Sequence, residues 1–203
     1  MVLTGVYYAL GLIAGGLIVS YFTPPAFGIP FYVLAAFCLY FFRDPDRLVP
    51  PGPVAVAPAD GKVVAVVPAS ERINRISIFL NIFDVHVNRS PVGGVITSVE
   101  YRPGKFLVAS RAEASDQNEM NIIAVEGEET TVVFKQIAGL IARRVVCDKK
   151  PGDHVAKGER IGLIKFGSRM DVLLGPEWEI LVREGQRVSA GSSILAKRRD
   201  KEG

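Results

Sequence analysis

Polarity divides the chain in two. Residues 1–42 contain no Asp, Glu, Lys or Arg, and all 45 charged side chains (24 basic, 21 acidic) fall in the remaining 161 positions. Within the uncharged part, residues 2–22 form one long apolar run. Pro24, Pro25, Gly28 and Pro30 interrupt it, and a second run covers residues 31–42. A membrane-spanning helix needs about 20 apolar residues. The first run is long enough; the second reaches that length only when counted from near Ala26 through Pro30, which the start of a helix tolerates. The pattern predicts a membrane-associated helical hairpin over residues 1–42 and a separate domain over residues 43–203. A secretory signal peptide would need a basic leading segment and a cleavage site. Residues 2–5 carry no charge and a second apolar run follows, which argues against it. Arg43 and Arg47 lie just past the second run and place the following domain on the cytoplasmic face of the cell membrane by the positive-inside bias. Tyr7, Tyr8, Tyr21, Tyr32 and Tyr40 lie toward the ends of the runs, as interfacial anchors do. Spanning and monotopic attachment both remain open.

From Pro50 onward the pattern changes to short Val- and Ile-rich runs punctuated by Gly and Pro. Strands are predicted at 54–57, 61–67, 76–82, 94–101, 121–125, 130–137, 142–147, 161–165, 170–174 and 179–181. Turns recur every 8–15 residues. This predicts a mainly β, sandwich or barrel-like domain. Residues 107–114 read as a helical turn or a loop, and the polarity of 110–119 predicts mobility. A weak repeat, G-x-x-V-x-x-G-x-x-I, occurs at Gly152 to Ile161 and again at Gly185 to Ile194, an offset of 33 residues. Each copy reads as strand, glycine turn, strand, the device of lipoyl and biotinyl carrier domains. The repeat puts His154 where the other copy has Arg187, which points to a surface position. It also makes Gly191-Ser192 turn chemistry.

Charge and composition narrow the chemistry. A net charge of +3 and a pI of about 8.9 suit an anionic membrane surface and are too weak for nucleic acid. Cys38 and Cys147 have no metal-like spacing, so neither a disulfide framework nor a metal site is expected. The two histidines are His86 and His154. Three segments can carry chemistry. Pro58-Ala59-Asp60-Gly61-Lys62 has the form of a hairpin turn. Asp84-Val85-His86-Val87-Asn88-Arg89 gathers polar groups before a Pro-Val-Gly-Gly turn. Phe166-Gly167-Ser168-Arg169 ends on a Gly-Ser bond outside both repeat copies. Together they supply an Asp, a His and a Ser, the set needed to activate a serine nucleophile. No Gly-x-Ser-x-Gly elbow is present, which disfavours an ordinary hydrolase.

The chain resembles the phosphatidylserine decarboxylase proenzymes of the short, membrane-associated type, with archaetidylserine decarboxylases as close relatives. The resemblance rests on Phe42-Arg43-Asp44-Pro45, Pro58-Ala59-Asp60-Gly61, Asp84-Val85-His86-Val87-Asn88, Gln136-Ile137-Ala138-Gly139, Ala142-Arg143-Arg144, residues 152–162 and Phe166-Gly167-Ser168-Arg169, in that order. It implies self-cleavage between Gly167 and Ser168, giving a β chain of 1–167 and an α chain of 168–203 that stay together as a heterodimer. Higher oligomers are left open. It implies that Ser168 becomes a pyruvoyl cofactor, which captures the serine amine of a phospholipid substrate as a Schiff base and acts as electron sink while carbon dioxide leaves. By the same resemblance His86 activates Ser168 and Asp60 orients it. Arg89, Arg111 and Arg169 are candidate partners for the lipid phosphate, since Arg binds phosphate bidentately. Two positions depart from the family pattern. Arg89 stands where longer bacterial relatives carry a second His, so a division of labour between two histidines does not carry over. Asn118-Glu119-Met120 replaces a common Asn-Glu-Arg. Two other readings stand beside this one: a membrane-anchored carrier or adaptor domain, suggested by the lipoyl-like repeat, and a serine hydrolase using Asp60, His86 and Ser168 on an outside substrate.

Overall fold

The computed structural model describes residues 2–70, 73–109, 113–128, 130–140, 145–164 and 168–199. The chain separates into two compact units, Met1–Asp46 and Arg47–Gly203. In the first, helix α1 (Leu3–Phe22) is followed by a 3-10 turn (Pro25–Gly28) and helix α2 (Ile29–Phe41). The Val2 N–H donates to the Phe42 carbonyl (3.0 Å), so the two ends of the pair meet. Small residues allow the helices to approach closely: a Cβ on Gly16 would lie 2.7 Å from the Tyr32 ring. At 1.5 Å per residue, α1 is about 30 Å long and α2 about 20 Å. Among the described residues, α1 alone is long and apolar enough to cross a membrane. The proline-rich start takes residues 25–28 into the 3-10 turn and shortens the second arm.

The second unit is mainly β, as the alternation of Val and Ile with Gly turns predicts. Strands β1 (Val54–Val56), β2 (Gly61–Ser70), β3 (Ile73–Leu80), β4 (Val87–Arg89), β5 (Gly94–Arg102), β6 (Met120–Gly127) and β7 (Thr130–Ile137) come first. They are followed by β8 (Val145–Cys147), β9 (His154–Val155), β10 (Arg160–Ile164), β11 (Ser168–Leu174), β12 (Trp178–Ile180), β13 (Arg187–Val188) and β14 (Ile194–Arg198). They form an eight-stranded sheet, β13-β2-β3-β11-β7-β6-β5-β9, and two three-stranded sheets, β1-β14-β12 and β4-β10-β8. The large sheet reads the same from either end: β13, β2, β3 and β11 correspond to β9, β5, β6 and β7.

This palindrome extends the sequence repeat. The Gly185 N–H bonds the Val63 carbonyl as the Gly152 N–H bonds the Ile96 carbonyl, both at 2.8 Å. The Gly191 and Gly158 N–H groups bond Ala57 and Ser90 in the same way, also at 2.8 Å. Across the junction, the Val56 N–H reaches the Pro91 carbonyl and the Arg89 N–H reaches the Pro58 carbonyl, each at 2.9 Å. Every one of these pairs repeats at the 33-residue offset. Gly158 and Gly191 both hold left-handed φ values, +76° and +74°, and a Cβ would crowd the Val49 side chain at Gly158 (2.6 Å) and the Arg89 side chain at Gly191 (3.0 Å).

The chain is therefore two similar lobes, one inserted into the other. In the inner lobe β6 and β7 are joined by a tight hairpin, with Gly127 opposite Thr130. In the outer lobe the corresponding pair is β3 and β11, with Leu80 opposite Ser168. The whole inner lobe takes the place of that second hairpin turn. Ser168 is the residue at which the chain re-enters the outer lobe. A continuous core of Ile76, Ile78, Ile123, Phe134, Ile164, Met170, Val172, Leu195 and their neighbours fills the space between the sheets.

Candidate active site

Ser168 opens β11 and is fully buried. Its Oγ has no hydrogen-bond partner among the described residues. An orphaned buried hydroxyl is costly and marks a site with a use beyond packing. Side chains alternate along a strand, so Ser168 shares the core face of β11 with Met170 and Val172. Arg169 and Asp171 lie on the opposite face.

His86 is 2% exposed and lies just before β4. Its carbonyl accepts from the Ile164 N–H (3.2 Å), which fixes it beside the last residue of β10, four positions before Ser168. Its Nδ1 lies 2.9 Å from the Asp84 carbonyl oxygen. A carbonyl only accepts, so Nδ1 carries the proton and in neutral His86 the lone pair lies on Nε2, the tautomer a general base needs. Asp84 is itself anchored: its carboxylate accepts from the Asn81 N–H (2.9 Å) and pairs with Arg187. The second repeat copy thus reaches back to hold the histidine loop.

Asp60 is placed differently from a triad carboxylate bonded to its histidine. Its oxygens take both contacts from Arg47 Nη2 (2.9 and 2.8 Å) and one from the Ala190 N–H (2.7 Å). The structure therefore joins Asp60 to the chain just after the helical pair and to the glycine turn of the outer lobe. Arg89 is buried and donates from Nη1 to the Gly158 carbonyl (3.0 Å), with its Cδ against Gly191. Arg169 is buried on the reverse face, donating to Asp171 (2.7 Å) and to Ser77 Oγ (2.5 Å). Asp171 also accepts from Ser115 Oγ (2.6 Å). Gly167, Arg111 and the Ala142-Arg143-Arg144 segment lie outside the described residues.

Sequence reasoning missed three groups. The first is the Ser77–Ser115–Asp171 cradle around Arg169. The polarity of 110–119 suggested mobility, yet Ala114–Gln117 forms a short helix, α3, whose Ser115 is buried against Asp171. The second is Asn118, 1% exposed, which ties Leu107 to the Ala138 carbonyl. The third is a buried amide chain in which Asn121 donates to Gln136, and Gln136 donates to Asn88 and to the Val146 carbonyl. The alternation of buried polar with apolar positions in 120–137 is the one signal that could have pointed to it. Cys147 neighbours this chain, and burial pushes its thiol up, away from nucleophilic use at neutral pH. A cavity of about 1020 Å³, lined by His154, Lys157, Trp178 and Arg198 among others, opens beside Gly127 and Thr130, at the far end of β6 and β7 from Ser168.

Comparison with known proteins gives this arrangement its class. Over 201 residues, 99% of this chain and 98% of the relative, it is 67% identical to the phosphatidylserine decarboxylase proenzyme of Solibacter usitatus (strain Ellin6076). It is 47% identical over 177 residues to the proenzyme of that name from Cereibacter sphaeroides (strain ATCC 17025 / ATH 2.4.3), covering 81% of this chain and 75% of that one. The class is a carboxy-lyase made as a proenzyme. Residues 34–196 match the phosphatidylserine decarboxylase family, and the chain belongs to it.

Proposed function

We propose that this chain cuts itself between Gly167 and Ser168, converts Ser168 to a pyruvoyl group, and then decarboxylates phosphatidylserine to phosphatidylethanolamine. The observation that carries the reading is Ser168 itself: fully buried, without a hydrogen-bond partner among the described residues, and placed where one lobe passes into the other. No Gly-x-Ser-x-Gly elbow surrounds it, as an ordinary serine hydrolase would use.

His86 Nε2 takes the Ser168 Oγ proton as Oγ adds to the Gly167 carbonyl carbon. The carbon–nitrogen bond then breaks and the amine is protonated, leaving an ester. Loss of the Cα proton of residue 168 with cleavage of its Cβ–O bond releases residues 1–167 with a carboxylate end. The dehydroalanine left behind tautomerises, takes up water and loses ammonia. Asp84 holds His86 in the tautomer this needs, and Asp60 sets the loop geometry around it through Arg47 and Ala190. The residues present fit the group: Ser168 is held between β3 and β7 at the start of β11, and its Oγ has no hydrogen-bond partner among the described residues. The pyruvoyl group supplies an electrophilic carbonyl that captures an amine and accepts the electron pair released as carbon dioxide departs.

The fold explains how the cut chain survives. Residues 168–203 supply β11 to the middle of the large sheet, β13 to its edge, and β12 and β14 to a small sheet. Residues 1–42 form the membrane-associated hairpin and 43–203 the catalytic part, held at the cytoplasmic face by the basic residues after α2. Exposed Ile82, Phe83, Val108 and Leu140 lie on loops leaving the Ser168 end of the sheet, where a lipid would arrive. The test compares Ser168→Ala with Ser192→Ala: the first should stop both cutting and carbon dioxide release from phosphatidylserine vesicles, the second neither. Cutting that persists in Ser168→Ala refutes the reading.

A further inference from the structure

The two-lobed fold gives the candidate active site a mate. Ser168 opens β11 opposite Leu80, and Thr130 opens β7 opposite Gly127. His86 directly precedes β4, and its carbonyl accepts from the Ile164 N–H at 3.2 Å. Pro53 directly precedes β1, and its carbonyl accepts from the Arg198 N–H at 2.9 Å. Both lobes shift register at the same place, between Val63 and Ala65 in the outer and between Ile96 and Ser98 in the inner. Thr130 and Pro53 are therefore the counterparts of Ser168 and His86, each taken from the opposite lobe. Both line the cavity of about 1020 Å³ at the other end of β6 and β7.

Self-cleavage chemistry is blocked at this mate. A proline in the chain carries no ionisable group, so no base stands where His86 stands. The Thr130 hydroxyl is committed: it donates to Glu177 Oε1 at 2.7 Å and accepts from Trp178 Nε1 at 3.0 Å. What the cavity offers instead is charge. Lys157 Nζ donates to the Gly52 carbonyl at 2.7 Å, and Arg198 Nη1 donates to the Glu128 carbonyl at 2.5 Å. Neither cation has a carboxylate partner among the described residues. Partial burial pushes the Lys157 ammonium pKa below its ordinary value, with no acid offsetting the shift. Glu126 and Glu128 line the same cavity. Unpaired cations beside carboxylates suit a zwitterion that carries a phosphate at one end and an amine at the other.

We propose that this cavity is a second, non-reactive headgroup site, which binds the phosphate ester of a small amino alcohol with Lys157 and Arg198 on the phosphate. The inference rests on the reading of Ser168 and His86 as the reacting pair, since that reading makes Thr130 and Pro53 an inert copy. The ligand shares the chemistry of the substrate and product headgroups and meets the protein away from Ser168.

Trp178 is the one tryptophan of the chain and lines the cavity, so its fluorescence reports occupancy without a label. Full-length Ser168→Ala in detergent is titrated with phosphoethanolamine, with inorganic phosphate and with mixed micelles containing phosphatidylethanolamine. This variant lacks the carbonyl that would capture the amine at the reacting end. Phosphoethanolamine should shift the emission saturably. Lys157→Met and Arg198→Met should each weaken the midpoint about 10- to 100-fold, and Arg198→Lys should recover part of the loss. Saturation by phosphoethanolamine identifies a soluble ligand, and a response confined to the micelles identifies a lipid headgroup; both support the site. No saturable shift in any arm overturns the proposal. So do inorganic phosphate binding as tightly as phosphoethanolamine and a wild-type midpoint in both Met variants. Loss of the cooperative melt in both Met variants makes the cations structural and overturns it as well. Wild-type cutting and carbon dioxide release are measured alongside. If they persist while Trp178 stays silent, this inference alone falls; if Ser168→Ala cuts itself, the processing reading falls.

Discussion

Replacing Arg169 with Met tests whether the cradle behind Ser168 is a committed ion pair. Arg169 is 2% exposed and Asp171 is 0% exposed. Without the guanidinium, Asp171 keeps Ser115 Oγ at 2.6 Å and Arg75 Nε at 4.0 Å but loses its 2.7 Å partner. Leaving one half of a buried pair costs about 3–5 kcal/mol, because the remaining charge is uncompensated in a low-dielectric interior. For a domain of this size each kcal/mol moves Tm by about 2–4 °C, so Arg169→Met should lower it by roughly 10 °C. The measurement is a thermal melt by circular dichroism in detergent, in the Ser168→Ala background so that one uncut chain unfolds. Adding Asp171→Asn should recover about half of the loss, since the stranded charge goes with it. A cost below about 1 kcal/mol for Arg169→Met, or no recovery in the double variant, would refute the argument that this pair is dry and mutually dependent.

Three further outcomes follow from the geometry. Asp60→Asn and Arg47→Met should slow self-cleavage to a similar degree and show little additivity in a gel time course, because each breaks the same two-oxygen contact. Gly191→Ala should destabilise the domain by more than Gly52→Ala in denaturant titration. Both positions hold left-handed φ, worth about 1–2 kcal/mol, but a Cβ at Gly191 would also crowd the Arg89 side chain whereas Gly52 has open space. The two chains should co-elute on size exclusion after cutting and separate only in denaturant. Burial of Met170, Val172, Leu174, Trp178, Val188 and Leu195 contributes about 1.5–3 kcal/mol each against the cost of association.

Much of the fold was legible because it follows from local rules. Charge-free residues 2–42 gave helices, alternating Val and Ile gave strands, and the glycines at 158 and 191 gave matching turns. The duplication was only half visible. In residues 152–194 the two copies share Gly, Val and Ile at turn-defining positions. In residues 54–102 the equivalent pair shares mainly backbone hydrogen bonds, with Pro58 and Pro91 the chief common side chains. Ser168 and His86 were legible through motif density and resemblance. The polar groups around them were not, since the pairs Asp84–Arg187, Ser77–Arg169, Ser115–Asp171 and Asn88–Gln136 span 48 to 103 positions of chain that only the folded sheet brings together. The second helical arm was expected to reach membrane-spanning length only from Ala26; the 3-10 turn at Pro25–Gly28 ends that possibility for a single straight helix.

Intact-mass spectrometry of the purified, active protein tests the central claim most directly. The account predicts two fragments, residues 1–167 and residues 168–203, the smaller lacking a free amino terminus because residue 168 has become a pyruvoyl group. An active protein that runs as a single uncut 22.0 kDa chain, or a small fragment that still begins with an intact serine, would contradict it.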